Sequence, residues 1–232
     1  MRILVFDTET TGLPQTKILN PDTLHQWPTI VQFSYIIFDL SFNEIVESKD
    51  YIIKVPKNIE ITEDSAKIHG ITNEISSNMG IPIDEALNEF FHYLRDVDWI
   101  IGHNISFDIN MVKVELLRII YGQKLTAQQL KSYKYDLHFI TNYKNICCTL
   151  QDSIEFCNIQ AIDKFGRPYL KYPKLMELHQ KLFDASPNNL HNSFNDILVT
   201  LRCFMKLKHN SDLLENSNSF KATAYDCELY VK

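Results

Sequence analysis

The stretch Arg2-Ile3-Leu4-Val5-Phe6-Asp7-Thr8-Glu9-Thr10-Thr11-Gly12-Leu13 governs how the rest of the chain is read. Arg2 to Phe6 is mostly apolar and β-prone, which suits a buried strand. Asp7 and Glu9 stand two positions apart, so on an extended strand both side chains share one face. Two acids at the end of a buried strand repel each other and lose hydration. A divalent cation removes that conflict, and Mg²⁺ and Mn²⁺ favour such oxygen ligands. Gly12 and Pro14 then turn the chain away. Alone, Asp-x-Glu is better read as a strand cap beside a solvated acid. It becomes specific only when further acids arrive in matching contexts.

No Gly/Ser-rich or Pro-rich linker divides the 232 residues, which reads as one domain over residues 1–210. The tail, 211–232, is left open between an edge strand and a helix. The five cysteines are odd in number and form no C-x-x-C pair, so neither a disulfide framework nor a zinc site is expected. Reduced, buried thiols of an intracellular protein are the expectation. The apolar run Ile3 to Phe6 is too short for a secretory leader, and no stretch nears the ~20 apolar residues of a membrane span. The expectation is a soluble, cytoplasmic protein with no membrane partner. A formal net charge of −6 argues against a broad nucleic-acid-binding surface. It leaves room for a small channel in which cations bridge carboxylates to phosphate.

Thr29 to Leu40 and Ile45 to Val55 read as strands joined by a hairpin at Ser41-Phe42-Asn43, with a long polar loop over Leu13 to Pro28 before them. Thr62 opens a short helix that ends in a turn at 68–72. Pro82 leads a second helix over Ile83 to Arg95. Trp99 to Asn104 reads as a fourth strand running into a turn, followed by a helix from Ser106 to Ile120 with Asp108 in its first turn. An acid there complements the helix dipole as readily as it binds a ligand. Residues 122–145 are polar and rich in Tyr and Lys and show no assignable pattern. Ile146 to Thr149 suits a short fifth strand, with helices at Leu150 to Phe156 and Leu175 to Phe183 and a loop over 158–173 between them. Lys171, Tyr169 and Tyr172 in that loop, and Lys174 just after it, could meet a phosphate backbone, although a solvated loop is the simpler reading. Asn192 or Ser193 caps a last long helix that carries Asp196, with His191 just ahead of it.

Three segments then resemble, in order, the motifs of the DnaQ-like, DEDDh 3′–5′ exonuclease family. They are Phe6 to Leu13, Gly102 to Asp108, and His191 to Asp196. The stretch Ala66 to Thr72 also resembles that family, and the likeness covers residues 2 to about 205. Histidine five residues before Asp196 matches the histidine branch; the tyrosine branch would need Tyr where Asn192 stands. The resemblance implies an RNase H-like α/β fold, a five-stranded mixed sheet flanked by helices on both sides.

The resemblance further implies metal-dependent hydrolysis of phosphodiester bonds from the 3′ end of single-stranded or frayed DNA, releasing nucleoside 5′-monophosphates in proofreading or repair. Asp7, Glu9, Asp108 and Asp196 would bind two Mg²⁺ or Mn²⁺ ions. His191 would act as general base, a task suited to a side chain whose ordinary pKa is about 6.5. Substrate contacts are implied at Thr8, Leu13, Ile68, His69 and Asn104. The implied partners are single-stranded DNA or RNA 3′ ends, together with a DNA polymerase or repair complex. Two alternatives stand beside this reading: an exoribonuclease of the same fold, and a non-catalytic nucleic-acid-binding or polymerase-associated module, which the intact set of acids disfavours.

Overall fold

In the computed structural model, which describes residues 1–230, the N-terminal apolar run is a strand that continues through both acids, β1 (Arg2–Thr10). β2 (Ile30–Asp39) and β3 (Glu44–Ile52) complete an antiparallel meander. Next come α1 (Glu63–His69), α2 (Asn73–Met79), α3 (Ile83–Leu94), β4 (Trp99–Gly102), α4 (Ile105–Gly122), α5 (Ala127–Thr141) and β5 (Ile146–Cys148). The chain finishes with α6 (Thr149–Asp152), α7 (Ile154–Cys157), β6 (Gln160–Ile162), β7 (Pro168–Leu170), α8 (Leu175–Phe183), α9 (Ser193–His209), α10 (Leu213–Asn216) and α11 (Asn218–Asp226).

The five main strands form one mixed sheet in the order β3-β2-β1-β4-β5. β4 and β5 join it in parallel, as expected for strands separated by helices. Side-chain alternation splits the core in two. Leu4, Phe6, Phe33, Tyr35 and Ile37 pack against α3, α4 and α5, whereas Ile3, Val5, Ile36 and Phe38 pack against α9. β2 is buried along its whole length, which explains its nearly unbroken apolar run. Pairing of β1 with β4 stops at Val5 and Ile101, so the last residues of β1 overhang the shorter strand. A register shift between Glu9 and Thr10 bends that overhang. No helix among the described residues is long and apolar enough to cross a membrane.

Several segments depart from the sequence expectation. Residues 122–145 contain α5, opened by a reciprocal Thr126–Gln129 capping box. Only Tyr133, Asp136 and Ile140 of α5 are buried, and Asp136 is paired with Arg95, so its apolar stripe is thin. The helix expected over 150–156 is interrupted at Ser153, whose hydroxyl donates to the Thr149 carbonyl at 2.6 Å. α2 follows the 68–72 turn directly, capped by Thr72. The 14–28 loop holds a single 3-10 turn at Pro21–Gln26 and is fastened by Arg118 of α4, which donates to the carbonyls of Leu24, Trp27 and Pro28. Residues 160–170 form a small hairpin where a loop was expected. The segment after 210 is helical, and Leu213, Phe220, Ala224 and Leu229 join the same apolar cluster as α9. The tail's last two residues, 231–232, lie outside the described residues.

Phe90 of α3 is the hub of the larger core, with its ring 5.0 Å from Phe33, 5.1 Å from Phe6, 5.4 Å from Phe91 and 5.5 Å from Tyr35. Phe90→Ala is expected to lower unfolding stability by about 3–5 kcal/mol, read from urea denaturation. A loss under about 1 kcal/mol would contradict this packing.

Candidate active site

Asp7 and Glu9 continue the face of β1 that Ile3 and Val5 turn toward α9. Asp196 meets them from the first turn of α9, where the helix dipole favours an acid. One carboxylate oxygen from each of Asp7, Glu9 and Asp196 lies within 4.8 Å of the others. The N-terminus of α9 is held there by polar side chains on the sheet. The Asn192 side chain caps it, accepting from the amides of Phe194 and Asn195. The Ser193 amide donates to Gln32 Oε1 at 3.2 Å, and the Ser193 and Ser34 hydroxyls bond each other. Asp50 of β3 accepts from Gln32 Nε2 at 2.8 Å and from Ser34 Oγ at 2.7 Å. Sequence reading missed this network, although its signal was present. Gln32 and Ser34 break the apolar run of β2 with the two-residue spacing of Asp7 and Glu9, and they sit opposite Glu9 and Asp7 in the ladder.

Asp108 enters from the first turn of α4 and is buried. Because β4 has already ended, the Thr8 amide has no strand partner on that side. Asp108 Oδ1 accepts from it at 3.0 Å and from Thr8 Oγ1 at 2.8 Å. Thr8, expected as a substrate contact, is itself buried and directs its hydroxyl to Asp108.

The electrostatics of the cluster are one-sided. Burial raises the Asp7 pKa well above the usual carboxylate range, and Asp108, Asp196 and Glu9 push it further. Glu9 is pushed up to about 8, first by burial and then by Asp196 and Asp108. Burial also raises Asp108 and Asp196, against the opposing pull of the Thr8 donors on the first and the His191 amide on the second. The groups acting on Asp7 are all acids, and the donor atoms are all hard carboxylate oxygens. That donor set fits Mg²⁺ or Mn²⁺ rather than a thiophilic metal.

The other expected residues surround this cluster. His191 has an exposed side chain and a left-handed backbone (φ 69°), and its amide points to Asp196 Oδ1 at 3.4 Å. Leu13 is 83% exposed and Ile68 is 59% exposed. α1 is tied to the end of β1 by the Ser65 hydroxyl, which donates to the Thr11 carbonyl at 3.0 Å. His69 is buried, and its Nδ1 accepts from the Ile71 amide at 3.1 Å, which places the proton on Nε2. That N–H lies beside the Thr10 carbonyl without a well-formed hydrogen bond. Burial lowers the His69 pKa, and the Thr10 carbonyl opposes the shift. Asn104 is exposed and left-handed at the start of α4. Next to it, His103 donates from Nε2 to the Pro173 carbonyl at 3.1 Å and accepts at Nδ1 from Thr149 at 3.0 Å. Burial depresses its pKa to about 4 and keeps it neutral.

A family model described as exonuclease, RNase_T, matches residues 4–204. The DNA polymerase III subunit epsilon of Buchnera aphidicola subsp. Schizaphis graminum (strain Sg) is 33% identical over 114 residues, 49% of this chain and 45% of that protein. The same subunit of Pasteurella multocida (strain Pm70) is 25% identical over 118 residues, covering 51% of this chain and 43% of its own length. The match thus spans less than half the length of these relatives. Among solved structures, E. coli exonuclease I in complex with a dT13 oligonucleotide aligns with a TM-score of 0.59 at 19% identity, over 90% of this chain and 42% of that one. Cell-death related nuclease 4 aligns with a TM-score of 0.57 at 15% identity, over 91% and 65%. These likenesses agree with the sheet order in showing an RNase H-like fold.

The raised Glu9 pKa has a thermodynamic consequence. Between its ordinary value of 4.5 and about 8, the unfolded chain has lost a proton that the folded chain keeps, so metal-free stability falls as pH rises through that window. In EDTA, the melting temperature of the wild type is expected to fall relative to that of Glu9→Gln between these two pH values. Mn²⁺ at the upper end is expected to raise the wild type more than the variant, which keeps Asp7, Asp108 and Asp196. Parallel pH profiles for the two proteins would refute the repulsive cluster.

Proposed function

The chain belongs to the RNase_T exonuclease family, and we propose that it removes nucleotides singly from the 3′ end of single-stranded or frayed DNA, releasing nucleoside 5′-monophosphates. The observation that carries this reading is the convergence of Asp7, Glu9 and Asp196, with Asp108 acting on Asp7, at the end of a buried strand. Asp7, Glu9 and Asp196 would hold one Mg²⁺ or Mn²⁺ ion, and Asp7 and Asp108 would hold a second. When bound, the two ions would supply positive charge for the phosphate, acidify the attacking water and stabilise the leaving 3′ oxygen.

The remaining residues bind, position and move a proton. His191 takes the proton of the attacking water on its imidazole, which its exposed place in an irregular segment leaves free to approach substrate. Thr8 fixes the orientation of Asp108 through its amide and hydroxyl. Leu13 and Ile68 are large apolar side chains left in solvent, a property that suits packing against terminal bases. His69 and Asn104 would lie at the terminal nucleotide. The likeness to an exonuclease solved with a dT13 oligonucleotide supports a single-stranded DNA substrate. The likeness to polymerase III epsilon subunits supports work beside a DNA polymerase.

The test uses 5′-labelled single-stranded DNA, with matching RNA in a parallel arm. A ladder shortening from the 3′ end with Mg²⁺ or Mn²⁺ is expected, absent in EDTA and absent with Asp7→Ala. His191→Ala is expected to slow turnover by roughly 10²–10⁴-fold while keeping the Mn²⁺-dependent rise in melting temperature. Undiminished cleavage by Asp7→Ala, or faster shortening of the RNA, would overturn the corresponding part of the proposal.

A further inference from the structure

Between residues 158 and 174 four basic residues stand against one acid, in a chain whose formal net charge is −6. The same segment carries aromatic side chains that the core does not use. Phe165 is 70% exposed, Tyr172 is 60% exposed and Tyr169 is 49% exposed. Phe165 is held out by a built turn rather than a loose loop. Asp163 Oδ1 accepts from the amides of Phe165 at 2.8 Å and Arg167 at 2.9 Å, and its Oδ2 accepts from Arg167 Nε at 2.8 Å. Gly166, at φ 79°, supplies the left-handed residue that the turn between β6 and β7 needs. The Lys164 ammonium lies 5.1 Å and the Arg167 guanidinium 5.3 Å from the centre of the Phe165 ring. Lys164 makes no ion pair among the described residues.

The base of this hairpin is anchored at the catalytic end of the sheet. Pro173 is buried, and its carbonyl accepts from His103, the residue between β4 and Asn104. Carrying the parallel register of Val5 and Ile101 forward by two residues sets His103 level with Asp7. The hairpin therefore rises from the end of the sheet at which the carboxylates converge.

We propose that the β6–β7 hairpin and the short run that leads from it into α8 bind the single strand upstream of its 3′ terminus, with Phe165, Tyr169 and Tyr172 stacking on bases and Lys164, Arg167 and Lys174 meeting phosphates. Exposed aromatics interleaved with cations are the surface that single strands use: bases stack on rings whatever their sequence, and the backbone follows positive charge. This assignment rests on the exonuclease reading and deepens it, because it adds a subsite that only a polymer can reach.

The full chain is assayed on two substrates. One is the p-nitrophenyl ester of thymidine 5′-monophosphate, which has a single nucleoside and cannot reach the hairpin. The other is a single-stranded DNA of about 15 nucleotides, within the usual span of such grooves. For the triple variant Phe165→Ala, Tyr169→Ala, Tyr172→Ala, the oligonucleotide KM is expected to rise about 10- to 100-fold, with kcat and ester hydrolysis unchanged. For Lys164→Ala with Lys174→Ala, the slope of log KM against log salt is expected to flatten by about 0.7 for each phosphate no longer neutralised. All the substituted aromatic side chains are exposed, and an unchanged melting temperature checks that the fold is kept. An active wild type whose oligonucleotide KM ignores both variants overturns the hairpin assignment alone and leaves the hairpin to a protein partner. A wild type inactive on both substrates overturns the exonuclease reading and this inference with it.

Discussion

Repulsion among carboxylates that the sheet forces together is the constraint on which the rest of the structure depends. β1 lies between β2 and β4, and both of its faces are covered. Asp7 and Glu9 are half-buried and cannot move apart without pulling that strand from its neighbours. The fold answers with two helices. α4 and α9 each deliver one more acid from the first turn, so the positive ends of two helix dipoles are directed at the growing negative charge. The apolar clusters on either side of the sheet hold the arrangement together, and the raised pKa values of all four acids register the strain.

How much of this was legible depends on whether the signal was local. The meander was readable because β2 and its neighbours carry long β-branched and aromatic runs. α3 was readable because Ala86, Leu87, Phe90, Phe91 and Leu94 mark one helical face. α5 was not, because it buries one tyrosine, one isoleucine and an aspartate whose burial makes sense only once Arg95 arrives from the end of α3. The helices after residue 210 were hidden for a related reason. Short helices are marginal in isolation, and these are stabilised by docking on α9 and β3.

The site shows the same division. Asp7 and Glu9 were legible as a pair because strand geometry alone puts them on one face. Asp108 was ambiguous in sequence, since an acid in the first turn of a helix needs no ligand to explain it. What the structure adds is a backbone amide, that of Thr8, left without a strand partner because β4 is shorter than β1, which holds Asp108 beside β1. No residue pattern encodes the length difference between two strands so far apart in the chain. The role of Thr8 followed the same logic. Its hydroxyl was open to substrate until the structure showed Asp108 already occupying it.

Arg202, at the midpoint of α9, is buried and ion-paired with Asp212 at 2.7 Å, and its guanidinium lies 3.8 Å from the Phe183 ring centre and 4.7 Å from that of Tyr230. His179 of α8 completes this clamp as a neutral ring. Burial lowers its pKa to about 4, Nδ1–H donates to the Ala185 carbonyl at 2.7 Å, and Nε2 lies 3.0 Å from both Arg202 and the Tyr230 hydroxyl. α8 and the segment after residue 210 therefore meet at Arg202 of α9, where the His179 and Tyr230 rings stack, while the chain between α8 and α9 passes through left-handed residues at Asp184, Asn189 and His191. Groups that must keep fixed mutual distances, the four carboxylates, sit on regular elements. His191, the proposed general base, sits on irregular backbone a few residues away. A clamp at the midpoint of α9 allows that loop to be irregular without disturbing Asp196, so the packing of the C-terminal segment supports the carboxylate cluster at the end of β1.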